Sequence, residues 1–496
     1  MPHEMAGNGC CNPAVSFRST SILTPADIDA ATNSPVALAK IGDNSEYEIS
    51  QLADNLQGVQ LNHGSNGEHA ANGHCKPRAV EIKSKKEWSV RSNPHLGTFR
   101  NPIRQILESL GNVGDNGKNF LSLAQGDPVR FGPHMKVPEG PCTALLHVIE
   151  EANNNGYSPS LGLLDSRRAL AEYLCVDETY KLLPQDVALC SGAAQALHVS
   201  IDAFRFPGCN ILLPRPGFSV YEALCRYYNV EPRFYDLLED SNWEVDLHQV
   251  AALADDNTAA MLVCNPGNPC GSVFSQKHMS QIATVADELQ LTIIADEVYA
   301  RTVFGKTPFA SMAKFSALAP VVSIGSISKG WLATGWRLGW LAIWDPNGIL
   351  KKAKIPEAVL SIMQISSGPA TPIQAALPEI LQNTSQSFFD KTQEHLRAGA
   401  DVCYTRASKI QGLSVPTRPE GSMFMMIKLD LSMFEDINSD TEFTQVLLRE
   451  ESVLVLPGIA FGIPNWLRIV FALSIPQLGE AWDRIEEFCS RHVRQL

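Results

Sequence analysis

No apolar run in this chain approaches the ~20 residues that a helix needs to cross a bilayer, so no segment is expected to span a membrane. Cationic charge is also scarce. Lys and Arg number 40 against 53 Asp and Glu, a net charge of −13, which argues against nucleic acid or an anionic membrane surface as the main partner. The 12 cysteines follow no regular spacing, no CxxC occurs, and Cys10-Cys11 is the only close pair. Neither a zinc site nor a disulfide framework is favoured, no metal is expected, and a reducing, cytoplasmic compartment is the default. There is no internal repeat and no signal-peptide h-region, and Asp27, Asp29, Glu46 and Glu48 run against an acid-poor transit peptide.

The first 88 residues lack sustained periodicity. They are rich in Asn, Gly, Ser, His and Ala, most of all from Leu61 to His74. Such a stretch buries too little apolar area to offset its ordering entropy, so 1–88 is expected to be a disordered, low-complexity tail. His63, His69, His74 and Cys75 could be read as metal ligands, but compositional drift accounts for them better.

With 45% hydrophobic and 19% charged residues over 496 positions, the rest has room for two or three structural units. From Glu87 onward, strand-like runs alternate with helical patterns, the sign of a parallel sheet built from βαβ units. Strands are expected at Val187–Cys190, Cys209–Leu213, Ala259–Cys264, Leu291–Ala295, Pro320–Ile324 and Leu338–Trp344, with helices at Gly192–Phe204 and Gln276–Leu289. After Asp345 the pattern turns more helical, with strands at Phe424–Leu429 and Trp466–Leu473, as in a smaller α/β domain. Ser191, Phe218, Asn268, Asp296 and Lys329 all fall just past the C-terminal ends of expected strands. That edge of an open α/β sheet is where ligands bind.

The run from Gly325 to Trp340 is the most informative. It puts Lys329 at the end of a buried strand, where an amine must be neutralised, paired or used covalently. Arg337 and small residues follow, suiting a phosphate, so the pair suggests a Schiff base to pyridoxal phosphate. A lysine capping a helix is the bland alternative. Ser191-Gly192-Ala193 opens a helix whose N–H groups suit an anion, yet Ser191 also reads as an ordinary N-cap. Ser326 and Arg337 converge on the same anion by spacing. Asp296, closing an apolar strand, needs a cationic partner, and a protonated pyridine nitrogen would be one. Tyr299 could donate to the phenolic oxygen of that ring, or belong to a core Asp–Tyr pair, while Glu297 reads as structural or solvated. Asn268, in the proline-stiffened loop from Asn265 to Gly271, offers an amide to ring or substrate, or simply a turn. Phe218 could stack on a ring or fill the core.

Together these motifs resemble the class I/II, fold-type-I pyridoxal-phosphate-dependent aminotransferases, nearest to plant tyrosine and nicotianamine aminotransferases. The resemblance covers about residues 95 to 490. It rests on Gly126-Asp127-Pro128, the stretch Tyr157 to Gly162, Pro214 to Phe218, Asn265 to Gly271, Ala295 to Tyr299, the lysine run, Glu420 to Phe424 and Asn465 to Arg468. It implies a large domain over 136–350, whose mostly parallel seven-stranded sheet lies between helices, and a smaller α/β domain over 351–496. Residues 89–135 would serve the small domain and the substrate cleft.

The resemblance also implies roles. Lys329 would form the Schiff base and shuttle a proton between substrate Cα and cofactor C4′. Asp296 would hold the pyridinium proton, Tyr299 and Asn268 the ring oxygen, and Phe218 would stack. Ser191, Gly192, Ala193, Ser326 and Arg337 would bind phosphate with Tyr157 of a partner subunit, which implies a homodimer with shared sites. Arg468 would clamp the substrate α-carboxylate with Asn268 and the Gly126 backbone.

Gly330 and Thr334 stand where similar chains carry a larger residue and a proline, which is expected to loosen the loop between Lys329 and Arg337. Arg130 is unusual and is expected near the substrate entrance. The expected activity is ping-pong transfer of the amino group of an aromatic L-amino acid, tyrosine first, to a 2-oxo acid such as 2-oxoglutarate. Nicotianamine transamination and a same-fold C–S lyase are the alternatives, and a catalytically silent binding protein is disfavoured because Lys329, Asp296, Arg337 and Arg468 are all present.

Overall fold

Every central strand of the larger sheet is apolar on both faces, because helices cover it on both sides. The computed structural model describes residue 90 and residues 102–109, 116–175 and 180–494. The expected tail at 1–88, with its candidate ligands His63, His69, His74 and Cys75, lies outside the described residues. The sheet runs in the order Val187–Cys190, Gly339–Trp344, Val321–Ser326, Thr292–Asp296, Thr258–Cys264, Asn210–Arg215, Glu231–Leu238 and Glu244–Val245. Pairing is parallel except at Gly339–Trp344, antiparallel to both neighbours, and at the two-residue edge strand Glu244–Val245. Seven strands thus carry the sheet, and the eighth is a short hairpin extension.

The period of two sorts the side chains between two apolar clusters. Leu212, Met261, Val263, Ile293 and Val321 face one side. Ile211, Leu213, Leu262, Ile294 and Val322 face the other, against the helix Gly192–Phe204. Helices Ile355–Ile365 and Thr371–Asn383 lie beyond residue 350, where the sequence reading puts a boundary. Their apolar faces nonetheless close over the large sheet. Ile355, Val359 and Met363 join one cluster, and Ala376, Leu377 and Ile380 join the other.

The second sheet is antiparallel, ordered Leu413–Ser414, Phe424–Leu429, Trp466–Val470 and Leu456–Pro457. Helices Gln386–Ala407 and Ile475–His492 pack on it through Leu396, Cys403, Trp482 and Phe488. Leu121–Ser122 pairs in parallel with Val453–Leu454, and Leu123, Phe131 and Met135 join the same apolar cluster. Both sheets lie in one compact unit, Val90–Leu496. No described helix is long and apolar enough to cross a membrane.

One contact ties the sheet to the cleft. Strand Gly339–Trp344 enters at the edge where the helix Gly192–Phe204 begins, and a Cβ on Gly339 would stand 2.5 Å from the Gly192 carbonyl carbon and 2.6 Å from Ala193 N. Neither atom can yield without moving the helix N-terminus. Gly339→Ala is therefore expected to destabilise the protein by about 1–3 kcal/mol, read as a lower urea midpoint with an unchanged slope.

Candidate active site

The C-terminal ends of the parallel strands open onto a cavity of about 510 Å³. Asp296 closes its strand with a buried carboxylate. Tyr221 donates to its Oδ2 at 2.6 Å, and the Val298 N–H reaches Oδ1 at 3.3 Å. Burial pushes the Asp296 carboxyl up, opposed by Tyr221, Val298 and then Lys329. It forms no ion pair among the described residues, an arrangement that suits a cationic ligand group.

Lys329 stands in the short helix Ile327–Gly330 directly after its strand. Its Nζ donates to the Gly126 carbonyl and sits 5.9 Å from the centre of the Tyr299 ring. Burial brings the amine down to about 8, Asp127 opposes this, and the cations Arg468 and Arg337 add to it. Tyr299 is buried, edge-on to Phe424 at 5.7 Å. Phe218 packs at 89° against Tyr221 with its ring on the cavity wall.

Across the cleft, on strand Trp466–Val470, Arg468 is buried and has no carboxylate partner among the described residues. Its Nη2 donates to the Ala124 carbonyl and Nη1 to Asn268 Oδ1 at 3.3 Å, while Nε is buried with no partner. Phe424 and Phe461 flank the guanidinium at 4.2 and 4.7 Å. Burial among such neighbours lowers it to about 9.

Arg337 marks the opposite rim, its Nη1 donating to Thr334 O at 2.9 Å and its Nη2 to Ser191 O at 3.3 Å. Gly192, at φ +74, lies under it, and a Cβ there would stand 2.3 Å from Nη2. Only glycine admits both that backbone and that approach. Ser326 is buried, and its Oγ accepts from Ser328 N at 3.3 Å.

Gly126, Ala193, Phe218, Asn268, Asp296, Tyr299, Ser326, Lys329, Arg337 and Arg468 all line this one cavity. Ser191 and Gly192 border it through Arg337. Tyr157 does not reach it: the side chain is fully exposed beside Ser158 and Gln364 in a separate hollow. Glu297 is structural, its carboxylate accepting from Ser311 Oγ and the Met312 N–H, and burial raises it to about 7.

Two features escaped the sequence reading. Tyr221, not Tyr299, pairs with Asp296; its position three after Phe218 on a helix start is the only local signal. Thr334 Oγ1 also donates to Asp127 Oδ1 at 2.9 Å, which ties the loop after Lys329 to the 116–135 segment.

The profile described as aminotransferase class I and II matches residues 118–485. The chain belongs to that family. It is 44% identical over 398 residues to a probable aminotransferase of Arabidopsis thaliana, covering 80% of this chain and 96% of the relative. It is 40% identical to nicotianamine aminotransferase 1 of Oryza sativa subsp. japonica, covering 83% and 85%. An S-alkyl-thiohydroximate lyase of Arabidopsis thaliana is 38% identical, covering 80% and 86%. Among solved structures, a tyrosine aminotransferase from Leishmania infantum superposes with a TM-score of 0.79 at 32% identity, covering 82% of this chain and all of that one. The fold is that of the fold-type-I enzymes, and the protein is a transaminase whose cofactor is pyridoxal 5′-phosphate.

The residues present fit that cofactor. Asp296 forms no ion pair among the described residues, Gly192 lets Arg337 close on the helix N-terminus, and Lys329 faces the same space. The Lys329 amine becomes nucleophilic as it loses its proton, so capture of pyridoxal phosphate by cofactor-free enzyme should quicken with rising pH and level off above about 8. Rapid-mixing absorbance measurements across that range check this; a rate still climbing near the pKa of an ordinary lysine contradicts it.

Proposed function

We propose that this transaminase moves the amino group of an aromatic L-amino acid, tyrosine first, to a 2-oxo acid such as 2-oxoglutarate. The order is ping-pong, with the donor's oxo acid leaving before the acceptor enters. The observation that carries the reading is Arg468, a buried guanidinium whose Nε points at no partner. Every amino-acid donor and oxo-acid acceptor brings a carboxylate, and a planar fork matches it with two parallel hydrogen bonds. One such site serves both half-reactions. Asn268 assists at Nη1, and the Gly126 backbone closes the same corner of the cleft.

When bound, pyridoxal phosphate supplies the electron sink that weakens the substrate Cα–H bond. Asp296, held by Tyr221, keeps the pyridinium proton in place. Lys329, as a neutral amine, takes the proton from substrate Cα. Tyr299 and Asn268 address the ring oxygen, Phe218 the ring face, and Ser191, Gly192, Ala193, Ser326 and Arg337 the phosphate. Ile103 and Leu107 give the mouth an apolar wall suited to an aromatic side chain.

Tyr157, exposed and away from its own chain's cleft, supports a homodimer in which it completes the partner's phosphate site. Free thiols at the exposed Cys142 and Cys175 support a cytoplasmic location. The relatives named for nicotianamine transamination and for a C–S lyase reaction keep those two activities as alternatives.

A panel of amino acids against 2-oxoglutarate tests the substrate reading, with tyrosine expected to lead. Amino acid alone should convert one equivalent to oxo acid without ammonia release; release of ammonia or thiol marks a lyase. Arg468→Lys should lower kcat/KM for tyrosine and alanine alike by about 2–5 kcal/mol in transition-state terms, with the cofactor spectrum unchanged. A loss confined to one donor removes Arg468 from the carboxylate role.

A further inference from the structure

We propose that a second cavity, behind Lys329 and separate from the substrate cleft, is a binding site for an aromatic monocarboxylate. It has a volume of about 350 Å³, within the range of small-molecule sites. Trp331, Trp340, Trp344, Tyr173 and Phe309 line it, so its walls suit a flat ring. Val298 and Ser326 line both this cavity and the cleft. Gly330 and Trp331, which end the short helix of Lys329, line it as well. The site therefore lies against the rear of the segment that carries Lys329, whichever amino acid the enzyme uses.

The polar groups on the walls choose the charge of the ligand. Arg301 lines the cavity as a cation with no ion pair among the described residues. Its Nε donates to Tyr173 Oη at 2.5 Å, and its Cζ lies 5.1 Å from the centre of the Tyr173 ring and 4.8 Å from that of Phe389. A Cβ on Gly330 would stand 2.9 Å from Arg301 Cβ, so the glycine gives the arginine stem its seat. Two rings and one hydrogen bond thus hold the guanidinium, while Nη1 and Nη2 make no hydrogen bond to the described residues. A held fork with two free N–H edges matches a carboxylate.

The indoles point the same way. Trp331 Nε1 donates to Thr384 Oγ1 at 3.0 Å and Trp344 Nε1 to Ser323 Oγ at 2.9 Å, but Trp340 Nε1 donates to no described residue. The cavity offers donors that lack acceptors, and a ligand bringing oxygen acceptors completes it. Glu297 shares the cavity without pairing with Arg301. Its carboxylate is already taken by Ser311 Oγ, at 2.9 and 3.1 Å, and by the Met312 N–H at 2.7 Å. Burial raises it to about 7, so near neutrality only part of its charge opposes an anion. A cationic ring compound would have to displace those donors and would leave Arg301 unanswered.

Cys175 lines the same cavity with an exposed thiol, and Cys142 is an exposed thiol elsewhere. The test labels full-length holoenzyme with N-ethylmaleimide in the presence of 3-phenylpropionate, a ring acid with no amino or oxo group to react. Peptide mass spectrometry follows the two cysteines separately. Saturable slowing at Cys175 and none at Cys142 is expected, with no slowing by acetate or by 3-phenylpropionamide. Arg301→Met should raise the half-protecting concentration about tenfold or more, because a hydrogen bond to a charged group is lost. Arg301→Lys should fall between, since it restores the charge without the fork. Arg468→Lys should be protected as the wild type is.

Wild-type Cys175 that reacts equally fast with and without the acid overturns the proposal. Equal protection by the amide overturns it too, by removing the carboxylate from recognition, and so does full protection in Arg301→Met. Protection lost in Arg468→Lys places the acid in the substrate cleft and has the same consequence. The comparison of acid with amide on the wild type decides the matter even if Arg301→Met does not fold.

Discussion

A guanidinium buried with no carboxylate partner among the described residues is the constraint around which the cleft is built. Removing Arg468 from water is costly, and the fold returns only part of that cost through the Ala124 carbonyl, Asn268 and the faces of Phe424 and Phe461. The remaining demand is for an anion, and in the proposed function a substrate carboxylate would meet it. Lys329 and Asp296 make the complementary demands nearby: an amine depressed by burial and a carboxylate raised by it. Among the described residues, a cation short of an anion, an anion short of a cation and a depressed amine make a site whose charges suit a zwitterionic substrate and a charged cofactor.

The scaffold meets these demands by stacking strand ends. Parallel strands with two covered faces end in register, so the residues after them project into one crevice. The antiparallel strand Gly339–Trp344 closes that crevice from the far side, and its first glycine touches the backbone of Gly192. Tyr221 links the helix after strand Asn210–Arg215 to Asp296 on the next strand but one, so that buried carboxylate is held from two elements. The second sheet brings Arg468 and Phe424 to the cleft, and the turn Gly458–Phe461 adds the second aromatic flank.

Much of this was legible along the chain because buried parallel strands are written as short apolar runs. The helix Gly192–Phe204 and the strands Val187–Cys190 and Phe424–Leu429 match expectation residue for residue, and most other expected elements within one or two at each end. Strand Trp466–Val470 stops three residues before its expected end. Strand Glu231–Leu238 went unread, since Pro232, Arg233 and Asp236 suit a strand near a sheet edge and break the apolar run. Lys329, Asp296 and Arg468 stood out because charge at a strand end or inside an apolar strand is costly without a purpose. Tyr221 did not, because an aromatic on a helix carries no local sign of what its hydroxyl meets. The tie from Thr334 to Asp127 was not legible for a related reason: only the tertiary fold brings Asp127 within reach. The helices at 355–365 and 371–383 fold back on the large sheet, a choice of partner that amphipathic spacing alone does not express.

The central claim is that Lys329, among the lysines of this chain, is the one joined to the cofactor. Borohydride reduction of the holoenzyme fixes that linkage, and peptide mass spectrometry then locates it. A single phosphopyridoxyl group on Lys329 is the expected result. The same group on another lysine, or none on any, would contradict the account.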